Sequence, residues 1–474
     1  MKGVINEYFG YLNPLFKNYL TIGFLLFFIS LSGYGQNPVE QDSLKQNKVA
    51  RDSLKLEKAI QKQAKQDSIR QDTTRQQSNV RRDTTRVTVR LNQGDTIKFK
   101  IDTMQAHSDL APLDIGSNRG IFIQSPDHLM QMRILGSVRA MFNYSSKQMQ
   151  DQLSFNPFDV PTGTSVIVPN IYASLAQSRL GFEITRRTRR IGDVFVRLES
   201  DFNSPEGHFR IRHAYGQINH LIVGQTWSMF SNVSFLPATV SSIGPPGSMT
   251  FRTPQIRYTG TINNKLRWAA GIEYTKLNLS NTDTIGINLV QVIPDIAGRI
   301  NYLTDKFSLQ FSLLITTISG RDSLDNINYQ FGVGGVVSAK YSINSNTELF
   351  ASFTSGKAIS SFVNMFRNRV EGVLFDPINN TLVAPALTGG YVAVSHNFPK
   401  YFSSSLSFGM ANNANLQFQD PDDYNYSFSG MLDVFYQPAD GARLGLEYAF
   451  GQRFDVDSST GTASRVSLIL YYDF

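Results

Sequence analysis

Arginine is the residue whose placement in this sequence promises chemistry. In MRILGSVRAMFNY (132–144), Arg133 and Arg139 lie an even number of positions apart, which puts both on one face of a β-strand. Arg179, Arg197, Arg210, Arg212, Arg257, Arg267 and Arg299 fall on, or near, the same kind of face in later segments. A guanidinium presents a fixed fork of N–H donors that grips carboxylate or phosphate with two parallel bonds. A ladder of such groups along a wet wall makes a path for anions. A second reading stands beside it. Glu183, Glu199, Asp201 and Glu273 share those faces and would neutralise the arginines in pairs that stiffen the wall.

Other chemistries find little material. The chain has no cysteine and six histidines, with no pair at a metal-ligand spacing, so neither metal nor cofactor is expected. A hydrolase needs a nucleophile, a base and an orienting group. His128, His208, His213, His220 and His396 offer few candidates for the base, and no G-x-S-x-G motif occurs. The sequence pI of about 9.3 raises the question of nucleic acid. Most of the excess charge, however, lies in residues 36–110, with 15 basic against 10 acidic residues. Residues 1–35 add two lysines and one glutamate, leaving 111–474 near +1 of the total +7. With no nucleic-acid-binding motif either, no nucleic-acid partner is expected.

The elements that would position the arginines are strands. In 132–144, Ile134, Val138, Phe142 and Tyr144 alternate with Arg133, Ser137, Arg139 and Asn143. In DVFVRLESDF, Val194, Val196, Leu198 and Phe202 oppose Asp193, Arg197, Glu199 and Asp201. KLRWAAGIEY and RLGLEYAFGQR repeat the pattern. About sixteen such segments run from near 131 to 474, many of them longer than the five or six residues usual in soluble sheets. Length and dyad alternation predict an all-β transmembrane barrel of about 16 antiparallel strands, apolar outside and wet inside. A secreted β-sandwich also alternates, but would not be expected to carry so many charges on one face of each strand.

The ends fit this reading. RVSLILYYDF (465–474) places Val466, Leu468, Leu470, Tyr472 and Phe474 on one face and ends on an aromatic. Such a segment is an aggregation hazard as a free edge. It is acceptable as the strand that closes a barrel, and its form resembles the signal read by the barrel assembly machinery. At the other end, Lys2 and Lys17 precede LTIGFLLFFISLSGYG, and the apolar run ends in small residues. It is too short to span a membrane and reads as a signal peptide, 1–35. Residues 36–110 are polar and nearly free of aromatics, with DSLK, DSIR and DTTR recurring loosely. They form a periplasmic extension that is either a disordered linker or a marginal helix over 39–70 able to associate with copies of itself. RVTVRLNQGDTIKFKI (86–101) reads as a small hairpin. The barrel would occupy 111–474.

One segment breaks the alternation. SMFSNVSFLPATVSSIGPPGSM (228–249) contains Pro245 and Pro246 in sequence. It is either an extracellular loop or a loop folded into the lumen. Residues 145–170 and 357–388 are the other long loops, and MFRNRVEG (365–372) in the latter reads as a short helix.

The block RIRHAYGQINHLIVGQTWSMF (210–230), LPATVSSIGPPG (236–247) and FRTPQIRYTG (251–260) resembles the DcaP-like outer-membrane porins. The shared features are R-x-A-Y, G-Q-T-W, the Leu-Pro and Gly-Pro of the loop, and R-x-P-Q-I-R-Y. The resemblance implies a bacterial outer-membrane location, a homotrimer, a periplasmic coiled coil, and passage of small anionic solutes such as dicarboxylates. It adds Gln225, Trp227 and Arg252 to Arg212 and Arg257 as residues of the matching block. The expected function is passive diffusion of small hydrophilic anions through an arginine-lined lumen. A surface-anchored structural or adhesive barrel is the alternative, and a barrel hydrolase a more distant one.

Overall fold

In a computed structural model, the described residues are 115 and 119–474, apart from 164–167, 205–206, 276–287, 322–326, 367–372, 377 and 380, together with 88–90 and 96–98. The signal segment and the 39–70 repeat lie outside the described residues. Thr88–Arg90 pairs antiparallel with Thr96–Lys98, as a unit separate from the rest.

Alternation builds a closed antiparallel barrel. Its sixteen strands are β1 (Met130–Ser145), β2 (Arg179–Thr188), β3 (Gly192–Asp201), β4 (Arg210–Ile218), β5 (Leu221–Trp227), β6 (Arg252–Thr261), β7 (Leu266–Glu273), β8 (Asp295–Leu303), β9 (Phe307–Arg321), β10 (Ile327–Ser342), β11 (Thr347–Lys357), β12 (Ala386–Asn397), β13 (Phe402–Asn413), β14 (Tyr424–Ala439), β15 (Ala442–Asp455) and β16 (Thr460–Asp473). Short pieces at Ile121–Gln124, Asn170–Ser174 and Asn288–Val290 extend the wall. Closure satisfies the backbone groups that an open sheet edge would leave unpaired in lipid.

The outer face is the expected apolar one. Val138, Phe142 and Tyr144 of β1 are exposed, while Arg133, Ser137, Arg139 and Asn143 are buried inward. On β16 the outward row is Val466, Leu468, Leu470 and Tyr472. One end of the barrel has turns of two to four residues between strands and the other has the long loops. At the short-turn end, Tyr258 packs on His220 and Trp268, and Phe402 stacks on Tyr436, which places amphipathic rings at the border of the apolar band.

The stretch 170–188 does not form one continuous strand. Asn170–Ser174 pairs with the far end of β1 and β2 with its beginning. A turn at 175–178 separates them, closed by Ser178 N–H donating to the Leu175 carbonyl. At the gap the Arg139 N–H donates to the Ser178 hydroxyl at 3.0 Å.

Residues 228–251 fold into the lumen. Nearly every residue of the segment is buried, and its backbone bonds to walls far apart around the barrel. Glu273 of β7 accepts from Ser228 Oγ and Met229 N–H at 2.6 and 2.7 Å. Asp433 of β14 accepts from Val240 N–H at 2.7 Å, and Glu447 of β15 from Ser241 N–H at 2.8 Å. The loop between β11 and β12 follows it inward: Asn364 donates to the Pro245 carbonyl and accepts from Gly247 N–H. Met229, Phe230, Met249, Phe362, Met365 and Phe366 form an apolar core inside the barrel. The wall facing it carries small or aliphatic side chains, Ala269, Ala297, Leu314, Val336 and Ala411. In the MFRNRVEG segment, only a 3-10 turn at Asn364–Phe366 is described, and 367–372 lie outside the described residues.

Candidate functional site

The apolar loops fill one part of the lumen, and the charged wall of β1–β4 bounds what remains open. Register brings its charges into rows. Glu183 of β2 stands between Arg133 of β1 and Arg197 of β3. Asp201 of β3 stands between Arg179 of β2 and Arg210 of β4.

The ion pairs follow these rows and cross between them. Glu183 accepts from Arg133 Nε at 2.8 Å and lies 3.2 Å from Arg197 Nη1. Glu199, fully buried, contacts Arg197 at 2.5 Å, Arg212 at 2.8 Å and Arg179 at 3.8 Å. Asp201 takes a bidentate pair from Arg210 at 2.8 and 2.7 Å and a third bond from Arg212 at 3.0 Å. Five guanidiniums thus share three carboxylates, so this part of the wall is paired yet still carries surplus positive charge. Glu183, Glu199 and Asp201 pair with arginines here.

A β-bulge makes the cluster denser than alternation allows. Glu199 opposes His213 and Ser200 opposes Ile211, so Arg212 is the extra residue. A bulge lets neighbouring side chains on the bulged strand face the same way, and Arg212 and His213 are both buried on the lumenal side. His213 Nδ1 bonds the Thr226 hydroxyl at 3.0 Å.

At the ends of β5 and β6, Trp227 and Arg252 are register partners. The Arg252 guanidinium lies 3.4 Å from the centre of the Trp227 ring, a cation–π contact, and Arg252 Nε reaches His213 Nε2 at 3.4 Å. Arg139 donates from Nε to Ser137 Oγ at 2.8 Å, lies over the Tyr471 ring and stands 3.7 Å from Asp473.

Beside this wall lies a cavity of about 580 Å³. Its charged lining is Arg139, Arg179, Arg210, Arg212 and Arg252 against Asp151 and Asp201. The other sequence-predicted residues do not line it. Arg133 and Arg197 are buried in the wall network. Arg257 is buried in β6 with Gln255, another inward residue. Arg267 lies at the short-turn end of β7 and Arg299 midway along β8. Gln225 faces outward, in one row with Leu221 and Val223, and donates to the Ile211 carbonyl. Outward placement removes Gln225 from the set of pore-lining residues, because β5 keeps strict alternation up to Thr226.

Of the anchors of the inward loop, Glu273 is named in the sequence reading only as a carboxylate that would neutralise arginines, and Asp433, Glu447 and Asn364 are not singled out there. Their sequence signal is a lone polar group on a strand of apolar neighbours, as in MLDVFY and GLEYAF. In a barrel, such a residue needs a buried partner.

A sixteen-strand barrel with a lipid-type exterior, a wet interior and an infolded loop that narrows it defines an outer-membrane channel of the porin class. Residues 123–474 match the DcaP outer membrane protein family, and the chain belongs to it. Among solved structures, the chain is similar to the outer membrane channel DcaP of Acinetobacter baumannii, at 20% identity and a TM-score of 0.65, over 75% of this chain and 99% of that one. It is also similar to an anion-selective porin from Comamonas acidovorans, at 12% identity and a TM-score of 0.51, over 73% and 100%. A search of curated proteins gave no match. The short-turn end of the barrel is therefore periplasmic and the long-loop end extracellular.

Proposed function

We propose that this porin passes small hydrophilic anions by passive diffusion, and that dicarboxylate-like solutes lodge at the cavity beside the infolded loop. The observation that carries this is the charged lining of that cavity, five arginines against two aspartates. Low-dielectric walls focus the positive potential of such a surplus and raise the local concentration of anions. Arg252 and Arg210 are the groups best placed to meet a solute. Arg252 is held flat by Trp227, and Arg210 is more exposed than its neighbours in the network. No group in this reading is a nucleophile, and the protein acts as a channel rather than an enzyme. The working unit is a homotrimer in outer-membrane lipid, inserted by the barrel assembly machinery through the strand that ends at Phe474.

Reversal potentials of the reconstituted channel across a salt gradient test the reading. Chloride should be preferred over potassium, and small dicarboxylates should interrupt current more than neutral sugars of the same size. Arg210→Ala with Arg252→Ala should weaken that block by roughly tenfold or more, at about 1.5–3 kcal/mol per charge-assisted contact. Rising salt should erode the selectivity, since the Debye length shrinks from about 10 Å at 0.1 M to about 3 Å at 1 M. Cation preference in the unaltered protein would reject the anion reading, and an uninterrupted current would reject the dicarboxylate one.

A further inference from the structure

The lumenal arginines are held among carboxylates, but another group of arginines is not. Arg186, Arg187, Arg189 and Arg190 occupy the end of β2 and the turn into β3. All four are exposed. Among the described residues, none of their guanidiniums has a hydrogen bond or ion pair. Two carboxylates are near. Asp193 is the register partner of Arg187. Asp127, in the turn before β1, is held below the usual carboxylate range by the Ser125 hydroxyl first, then by the Leu129 N–H and, last, by the Arg186 charge. Four cations therefore stand near two anions at the edge formed by this turn and the one before β1.

The turn is a built one. Thr188 Oγ1 donates to the Gly192 carbonyl at 2.6 Å. Asn219, in the adjacent periplasmic turn, donates from Nδ2 to the Ile191 carbonyl at 2.8 Å. Arg187 N–H donates to the Leu129 carbonyl. The backbone carrying the arginines is thus tied to both neighbouring turns.

Its position identifies the ligand. Arg186 continues the outward row of Leu180, Phe182 and Ile184, and its register partners are Met130 and Val194. Leu129, Met130, Ile191 and Ile218 around it are exposed apolar side chains. Cations bordered by apolar surface at the edge of a lipid-facing wall sit at headgroup depth, where long side chains reach from the hydrocarbon to the interface. A guanidinium fork fits phosphate oxygens, and basic clusters at that depth take anionic headgroups. The other described periplasmic turns carry at most one lysine and no arginine, as in INNK (262–265), TDK (304–306) and FPKY (398–401). Arginine is therefore densest at the β2–β3 turn, with single arginines such as Arg267 and Arg443 beside other described turns.

We infer that the β2–β3 turn is a binding site for the phosphate of anionic phospholipids in the periplasmic leaflet of the outer membrane, with Arg186, Arg189 and Arg190 as its ligands.

The test uses the full chain in nanodiscs of equimolar phosphatidylglycerol and phosphatidylcholine, released into native mass spectrometry. The unaltered protein should retain phosphatidylglycerol preferentially, and less so as salt rises. R186Q/R189Q/R190Q should lose that preference by roughly a hundredfold, from about fivefold per charge, while remaining heat-modifiable in gels. R186K/R189K/R190K should keep an intermediate preference, because charge remains and the fork is lost. K306Q/K400Q, at two other periplasmic turns, should change nothing. Equal retention of both lipids by the unaltered protein, or undiminished preference in the glutamine variant, would overturn the site. So would equal loss in the lysine-turn control, which would point to diffuse rim charge. Displacement of the lipid by glycerol phosphate at equal concentration would show a free-phosphate site instead, and preferential retention of peptidoglycan fragments a cell-wall one.

Discussion

The ring of Phe474 occupies the space beside Gly136 that any side chain there would need. The two residues also exchange backbone hydrogen bonds, Gly136 N–H to the Phe474 carbonyl at 3.1 Å and Phe474 N–H to the Gly136 carbonyl at 2.9 Å. They continue the ladder between β16 and β1, which runs from Arg465 opposite Ser145 to Asp473 opposite Ser137. The bare glycine on the first strand is what admits the final aromatic at the seam.

That contact makes closure sensitive at both partners. Gly136→Val should reduce the heat-modifiable, membrane-inserted fraction, since backbone and ring cannot both stay in place. Deleting Tyr472–Phe474 should abolish insertion, by removing two lipid-facing aromatics and the last ladder bonds. Outer-membrane fractionation reads both, and normal levels of the truncated chain would reject the role assigned to the last strand.

Glu199 is the hub of the wall network, in contact with Arg179, Arg197 and Arg212. Breaking a buried ion pair on one side leaves uncompensated charge and costs about 3–5 kcal/mol. Glu199→Gln should therefore lower the thermal stability of the folded barrel and, in channels that do fold, increase anion preference. A stable variant with unchanged reversal potential would mean that the local positive surplus does not set selectivity.

Asp433 and Glu447 face each other across β14 and β15 and each accepts one backbone N–H of the infolded loop. Replacing both with alanine removes those two anchors, at about 0.5–1.5 kcal/mol each for the net value of a hydrogen bond. Glu273 and Asn364 still hold the loop elsewhere, so the variant should insert normally but conduct more, with noisier current. Conductance identical to the unaltered channel would show that the remaining anchors suffice.

Residues 36–105 should be dispensable for the pore itself. Channels lacking them should keep most of their conductance. Recovery of trimers in mild detergent should fall if the segment has a helical role in assembly, and undiminished recovery would favour a tether. Size-exclusion chromatography with light scattering separates the two outcomes.

Much of the fold can be read from alternation alone. Side chains repeat every two residues in a strand, so the rows Val466, Leu468, Leu470, Tyr472 and Arg133, Ser137, Arg139, Asn143 assign each face without knowledge of any partner strand. Chain closure follows from the same pattern, because strands buried in lipid on one face cannot leave an edge unpaired. Arg133, Arg139, Arg179, Arg197 and Arg210 were legible as inward for this reason, and the prolines at 245 and 246 marked the segment that is not wall.

What alternation could not supply is anything that depends on which strands are neighbours. The inward face of Arg212 together with His213 needs the bulge opposite Glu199, and a bulge is set by the pairing of two strands, not by one. The sharing of Glu199 among three arginines comes from cross-strand register, so sequence could not say whether the charges were free or paired. The same holds for the loop. Its anchors lie on β7, β14 and β15, distant in the chain and brought together only when the barrel closes. The sequence by itself determined faces, because a side chain's face is a local property of the backbone. Tertiary structure decided partners, and through them the size and charge of the opening.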